Sequence, residues 1–155
     1  MSQYMYFSIS RGNGDFIPLI EESRSNSIYV MFYDYANYGE FKELTPSTLK
    51  RIKEETLEGI KSNESAIKKY EEYLDFLVKE NKSIDDLRDE FWSTKSSITE
   101  IKYENDSLDA VVSFINTLER IMEYNEWEDD ENKKTHIWFG IETGFEREEE
   151  EDERD

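Results

Sequence analysis

Thr45-Pro46-Ser47-Thr48-Leu49-Lys50-Arg51-Ile52 opens a run in which Leu49, Ile52, Leu57, Ile60, Ile67, Tyr70, Leu74 and Leu77 recur at helical steps as far as Glu80. Threonine can cap the free amides of a helix start, and proline at the first helical position loses nothing by lacking its own N–H. The spacing predicts a helix over 46–80, about 35 residues and roughly 50 Å long. Asn81-Lys82-Ser83 interrupts it, and Ser83 followed by Asp86 has the form of a capping box with the shorter acid. A second run covers 84–125: Ile84, Leu87, Phe91, Ile98, Ile101, Leu108, Val112, Ile115 and Met122 share one heptad frame, with Thr94, Asn105 and Glu119 as its polar members. Two narrow apolar stripes joined by a short turn must lie side by side, since neither can be buried alone, so an antiparallel, coiled-coil-like hairpin is expected. Asn105-Asp106-Ser107 offers a place where the second helix would break, with Ser107 as a fresh cap.

Outward from the hairpin the period changes. Tyr4-Met5-Tyr6-Phe7-Ser8-Ile9-Ser10 alternates apolar and polar positions and reads as a strand. Arg11-Gly12-Asn13-Gly14-Asp15 supplies turn residues, and Phe16-Ile17-Pro18-Leu19-Ile20 resumes an apolar run whose proline places it at a sheet edge. Residues 25–38 have strand composition, yet Ser25-Asn26-Ser27 supplies caps and Ile28, Met31, Phe32 and Tyr35 fit helical spacing, which favours a short helix ending near Asn37-Tyr38-Gly39. Glu126 to Asn132 is loop-like, and Thr135-His136-Ile137-Trp138-Phe139-Gly140-Ile141 alternates again as a late strand, whose simplest partner is the first. The expected fold is α+β: a small antiparallel sheet from both ends of the sequence, an aromatic segment packed on it, and the hairpin projecting from it or lying across it. One domain over 1–145 would be followed by an acidic tail, 146–155, with no means of burying itself.

Charge narrows the functional classes. The 155 residues carry 38 acidic and 19 basic side chains, one histidine and no cysteine, for a formal charge of −19. Phosphates and anionic lipid would be repelled, so neither direct nucleic-acid binding nor a membrane surface is expected. No disulfide, thiolate nucleophile or zinc knuckle is available. The Asn-x-Ser triplets at Asn63, Asn81 and Asn105 read as chance matches. The opening residues lack the features of a secretory signal and no apolar run is long enough to span a bilayer, which points to a cytoplasmic location.

Catalytic signatures are sparse. His136 sits on the late strand with no local pattern pairing it to a serine. Gly12-Asn13-Gly14 lies between strands instead of opening a helix, and no Gly-Lys-Ser/Thr occurs, so a hairpin turn is preferred to a phosphate loop. Asp85, Asp86, Asp89 and Glu90 are spaced to line a helix face, and Asp129-Asp130-Glu131 form a loop cluster. Neither has the ligand order of a calcium-binding EF-hand, so solvated surface is the simpler reading and no metal or cofactor is assigned. Paired-carboxylate sugar chemistry would need a cleft that a thin hairpin does not provide. Tyr29, Phe32, Tyr33, Tyr35, Tyr38 and Phe41 form the densest aromatic stretch, suited first to packing, then to a tyrosine patch for protein binding, and last to a pocket whose anion would need Arg11 or Arg24 to offset the field.

Acid spacing tests a nucleic-acid-mimic reading. Residues 83–125 hold ten acids, about one per 6.5 Å of helix against roughly 3.4 Å per phosphate on a DNA strand. The tail, with Glu148, Glu149, Glu150 and Glu151 at its centre, reaches about one per 4 Å if extended. These features together predict a non-catalytic acidic binding protein, an inhibitor or decoy occupying a basic surface of a partner protein. Small virus-encoded inhibitors of host defence proteins share this character by analogy. The partner-binding residues expected are Tyr33, Tyr35, Tyr38, Asp85, Asp86, Asp89, Glu90 and Glu148 to Glu151. Two alternatives stand beside this one: a homo-oligomeric coiled-coil scaffold joined through Ile98, Ile101, Leu108 and Val112, with Asn63 and Asn105 setting register, and a small-ligand (nucleotide) sponge or enzyme.

Overall fold

A computed structural model describes residues 3–12, 14, 16–79 and 83–143. The fold is α+β, with a four-stranded antiparallel sheet and a long helical hairpin. The chain divides into two compact units, one drawn from residues before 56 and after 110, the other from 56–110. Among the described residues no helix is long and apolar enough to cross a membrane.

In the first unit, β1 (Gln3–Arg11) and β4 (Thr135–Thr143) form the centre of the sheet, flanked by β2 (Ile17–Ser23) and β3 (Lys42–Glu43), in the order β2-β1-β4-β3. The predicted pairing of first and last strands is realised from Gln3↔Thr143 to Arg11↔Thr135. That register sets Met5 opposite Ile141 and Phe7 opposite Phe139, so alternation on both strands delivers one continuous apolar face. Phe7 lies at its middle, edge-on to Phe32 at 5.1 Å and to Phe114 at 5.0 Å. β2 is an edge strand, as Pro18 predicts, and the register slips between Phe7↔Ile20 and Ser8↔Pro18. Proline and a bulge at a free edge both oppose further strand addition.

Within 25–38, residues 27–35 are helical where composition alone favours a strand. α1 (Ser27–Phe32) is capped by Asn26, whose side chain accepts from the Ile28 N–H at 2.8 Å, and it buries Ile28, Tyr29 and Phe32. A 3-10 turn, Tyr33–Tyr35, follows. The chain then runs along the outer edge of β4. The N–H and C=O of residues 135, 137, 139 and 141 face that edge, and each position finds a different partner. Ile141 donates to Asn37 O at 3.0 Å and accepts from Gly39 N at 2.9 Å; β3 pairs at Phe139; Ile137 O accepts from Leu44 N at 2.7 Å. At Thr135 the partner is a side chain: the Asn125 amide accepts from Thr135 N at 2.8 Å and donates to Thr135 O at 2.6 Å. Glycine is required twice here. Gly39 turns the chain at φ +74°, and a Cβ on Gly140 would lie 2.5 Å from Glu40 O. The two-residue β3 was not anticipated, being too short for any alternation.

The helices run from Pro46–Lys79 (α2) and Ile84–Trp127 (α3), within two residues of the predicted limits. Thr45 caps α2, accepting from Thr48 N at 3.3 Å, and Ser83 caps α3, accepting from Asp86 N at 3.3 Å. α3 is unbroken at Asn105, and it absorbs Glu126 and Trp127, which the sequence assigns to a loop. The stripes need correction. On α2, Leu57 and Tyr70 are exposed while Thr56 is fully buried. On the last part of α3 the buried line is Val111, Ile115 and Leu118, with Phe114, Ile121 and Met122 beside it, where the heptad frame places Val112 and Glu119. The reason is the surface being covered: a helix–helix seam needs a narrow stripe, whereas a helix lying on a sheet core needs a broad one. Glu119 is instead ion-paired with Lys53 at 2.8 Å.

Within the second unit Leu77, Thr94, Ile98 and Leu108 are buried. Asn63 donates to Asn105 Oδ1 at 2.8 Å, and Asn105 donates in turn to the Ile60 carbonyl at 3.3 Å. The asparagines thus bond to one another and to backbone inside a single chain, and Ile98 and Leu108 are already covered there.

Candidate binding surfaces

Among the surfaces that combine exposed aromatic rings with charge, two stand out, one in each unit. The first is an open cavity of about 340 Å³ lined by Gln3, Arg24, Tyr29, Val30, Tyr33 and Tyr38. Its geometry follows from the elements that meet there. Tyr29 and Tyr33, one turn apart on α1 and the 3-10 turn, stack at 5.7 Å with planes 27° apart. Tyr38, held by the Asn37 and Gly39 bonds to Ile141, meets Tyr33 edge-on at 6.2 Å, and the two phenol oxygens are 3.0 Å apart. Gln3 Oε1 accepts from Tyr38 at 3.2 Å and from Tyr29 at 3.5 Å. The hydrogen bond with Tyr38 raises the pKa of the Tyr33 phenol, the nearby Arg24 charge opposing the rise. Tyr33 is therefore a neutral hydrogen-bonding group at physiological pH. Tyr33 and Tyr38 remain 41% and 53% exposed.

Of the three tyrosines predicted as partner-binding, this cavity brings together Tyr33 and Tyr38. Tyr35 is engaged elsewhere, donating to the Glu55 carboxylate, a bond that raises its pKa. Composition could not separate them. Tyr33 and Tyr35 are two residues apart on a tight turn and so leave it in different directions.

The second surface is the outward face of α3. At about 100° per residue, Asp85, Asp89, Trp92, Ser96, Glu100 and Tyr103 fall within roughly 80° of arc, and their rise spans about 27 Å. All six are exposed, Trp92 by 57% and Tyr103 by 75%. Asp86 and Glu90, expected on the same face as Asp85 and Asp89, are turned about 100° further round. Arg88 reaches Asp85 at 3.8 Å and Asp89 at 3.6 Å. Such solvent-exposed pairs contribute only ~0–1 kcal/mol and yield readily to a competing cation. Trp92 and Tyr103 were not singled out from the sequence. The signal was present in their separation of eleven residues, three helical turns, off the heptad frame that carries the buried stripe.

The remaining candidates make local contacts. His136 Nδ1 is 2.7 Å from the Glu43 carboxylate, and the Ser10 hydroxyl accepts from the Trp138 indole at 2.9 Å. Gly14 N donates to Arg11 O at 3.0 Å. Asp130 caps a 3-10 turn at Glu131–Lys133, accepting from Asn132 N at 3.0 Å. Among the described residues no three acidic or histidine side chains converge as a metal site. Glu148, Glu149, Glu150 and Glu151 lie outside the described residues. Comparison of the chain with protein-family models, with curated proteins and with solved structures gave no match.

Proposed function

We propose that this chain is a non-catalytic binding protein, an inhibitor or decoy that uses the outward face of α3 to occupy a basic surface on a partner protein. The observation that carries the reading is the pairing of two large exposed rings, Trp92 and Tyr103, with Asp85, Asp89 and Glu100 on one helix face. Tryptophan and tyrosine are among the residues that most often dominate binding energy, and both rings here are mostly exposed, Trp92 resting edge-on against Phe91. Surrounding carboxylates would steer a cationic partner to the face and repel other anions. Net charge of −19 adds a long-range field of the same sign. Asp86 and Glu90 extend the acidic surface round the helix.

Capture from a cell lysate with wild-type protein and with the Trp92→Ala/Tyr103→Ala variant, each at 0.1 M and 1 M salt, tests the reading. A basic protein retained by the wild type should be lost or weakened at least ~30-fold by the double variant, the size expected for hot-spot residues. It should also be weakened by high salt, where the Debye length falls to ~3 Å. Capture unaffected by the double substitution, or light scattering that shows the face occupied by a second copy of this chain, overturns it.

A further inference from the structure

From the cavity walled by Tyr29, Tyr33 and Tyr38 and edged by Arg24, we infer that the protein binds a small planar ring carrying one anionic group, the chemistry of a mononucleotide. This site is separate from the α3 face, and it stands or falls independently of the partner reading.

Three observations lead there. The walls present flat aromatic surface: Tyr33 and Tyr38 leave about half of their surface open, and their mutual edge-on packing at 84° gives two differently oriented rings against which a heterocycle can stack. The volume, about 340 Å³, lies at the lower end of the ~300–1,000 Å³ typical of small-ligand sites, enough for one nucleotide and too little for a long polyanion. Arg24 supplies the charge. In a chain with twice as many acids as bases, it is ion-paired to no carboxylate among the described residues, although it lines the cavity and its charge acts on the Tyr33 phenol. A guanidinium that pairs with none of the described carboxylates is suited to a planar, bidentate contact with a phosphate or carboxylate brought by a ligand.

The same features set the ligand's limits. A single lining cation within a strongly negative field suits one anionic group and disfavours nucleic acid or a triphosphate. An aromatic cage for a quaternary ammonium would place an acid, not an arginine, at its edge. The tyrosine hydroxyls and Gln3, already bonded to one another, hold the walls in place before any ligand arrives.

Adenosine monophosphate, adenosine and inorganic phosphate, titrated separately into the full chain and followed by the aromatic NMR signals of Tyr33 and Tyr38, provide the test. The monophosphate should give saturable shifts with the tightest binding. Arg24→Gln, on an exposed side chain, should leave the fold intact and weaken the monophosphate by roughly 10- to 100-fold, the worth of a charged hydrogen bond, while leaving adenosine unchanged. Tyr38→Leu should weaken both. Absence of shifts at millimolar monophosphate overturns the inference. So does equal affinity for phosphate alone, an Arg24→Gln protein that binds the monophosphate as well as wild type, or displacement of the monophosphate by tetramethylammonium.

Discussion

Replacing Asn125 by alanine would strip the end of the β4 edge of its partner. The Asn125 side-chain amide bonds both backbone groups of Thr135, at 2.8 and 2.6 Å, and Thr135 is only 6% exposed. Among the described residues nothing else in the strand order lies beside Thr135 on that side, because β3 reaches only as far as Trp138 and the Leu44 amide only as far as Ile137. The substitution therefore leaves one buried donor and one buried acceptor without partners, each costing ~1–3 kcal/mol, less whatever water recovers. The expected loss is about 2–5 kcal/mol, a large share of the ~5–15 kcal/mol that holds a domain folded. A chain of this size should then melt roughly 5–15 °C lower. Asn125→Asp retains an acceptor for the Thr135 N–H but sets an anion against the Thr135 carbonyl, so it should destabilise as well. Calorimetry gives the magnitude, and amide hydrogen exchange localises it, with Thr135 losing protection well before Phe139. A melting temperature within about 1 °C of wild type, with Thr135 still protected, would refute the edge-completion argument.

Two other consequences are as direct. Gly140→Ala would place a methyl 2.5 Å from the Glu40 carbonyl and 2.6 Å from the Phe41 ring, so denaturant unfolding should show a loss of ~1–3 kcal/mol; an unchanged midpoint would mean that residues 40–41 are not seated on β4. The Glu131–Lys134 ion pair, 2.8 Å long, gives a pH signature. The hydrogen bond from Lys134, reinforced by its charge, lowers the Glu131 pKa, so the pair's contribution is present above the ordinary carboxylate range and fades as pH falls through the lowered value. At the other end, the raised Lys134 pKa means the contribution is lost as pH rises through that value. Carboxyl NMR should show Glu131 returning to the ordinary range in Lys134→Ala, and a Glu131 titration identical in both proteins would count against the pair.

The parts of the fold legible in the sequence are those in which one periodicity meets one surface. Met5, Phe7 and Ile9 on β1 and Ile137, Phe139 and Ile141 on β4 alternate because each strand has one face on the core, and that alternation predicts both their existence and their pairing. The helical hairpin was legible for the same reason along Ile98 and Leu108. Legibility failed where a single element serves two surfaces. α3 carries a narrow seam up to Leu108 and a broad sheet-packing face from Val111 onward, and a single heptad frame cannot describe both. The binding surfaces were legible only in composition. Tyr33 and Tyr38 stood out as part of an aromatic cluster, but their meeting depends on the turn at Gly39 and on the edge of a strand about a hundred residues later. Arg24 was legible as a cation able to offset the field, without any indication of where it would lie.

Asparagine accounts for much of what pattern reading left open, and the reason is chemical. Its side chain ends in the same C=O and N–H pair that a peptide bond carries, so it can replace a missing backbone partner wherever geometry brings one within reach. Asn26 does this locally for the Ile28 amide in the first turn of α1, a range short enough for the sequence to suggest a cap. Asn105 adds a bond across the hairpin to the Ile60 carbonyl, inside α2, and Asn125 replaces the missing partner for both backbone groups of Thr135. Read along the chain, the last two look like interruptions: Asn105 is a break in an apolar stripe and Asn125 the end of one. In the fold each is a point of attachment, and α3 passes through Asn105 without a break because the side chain's bonds go to α2 rather than to its own backbone. A polar residue within an apolar period thus carries two opposite meanings, terminator or anchor. What separates them is whether an unpaired backbone group, or another amide, waits opposite it, a fact of tertiary register that no local spacing encodes.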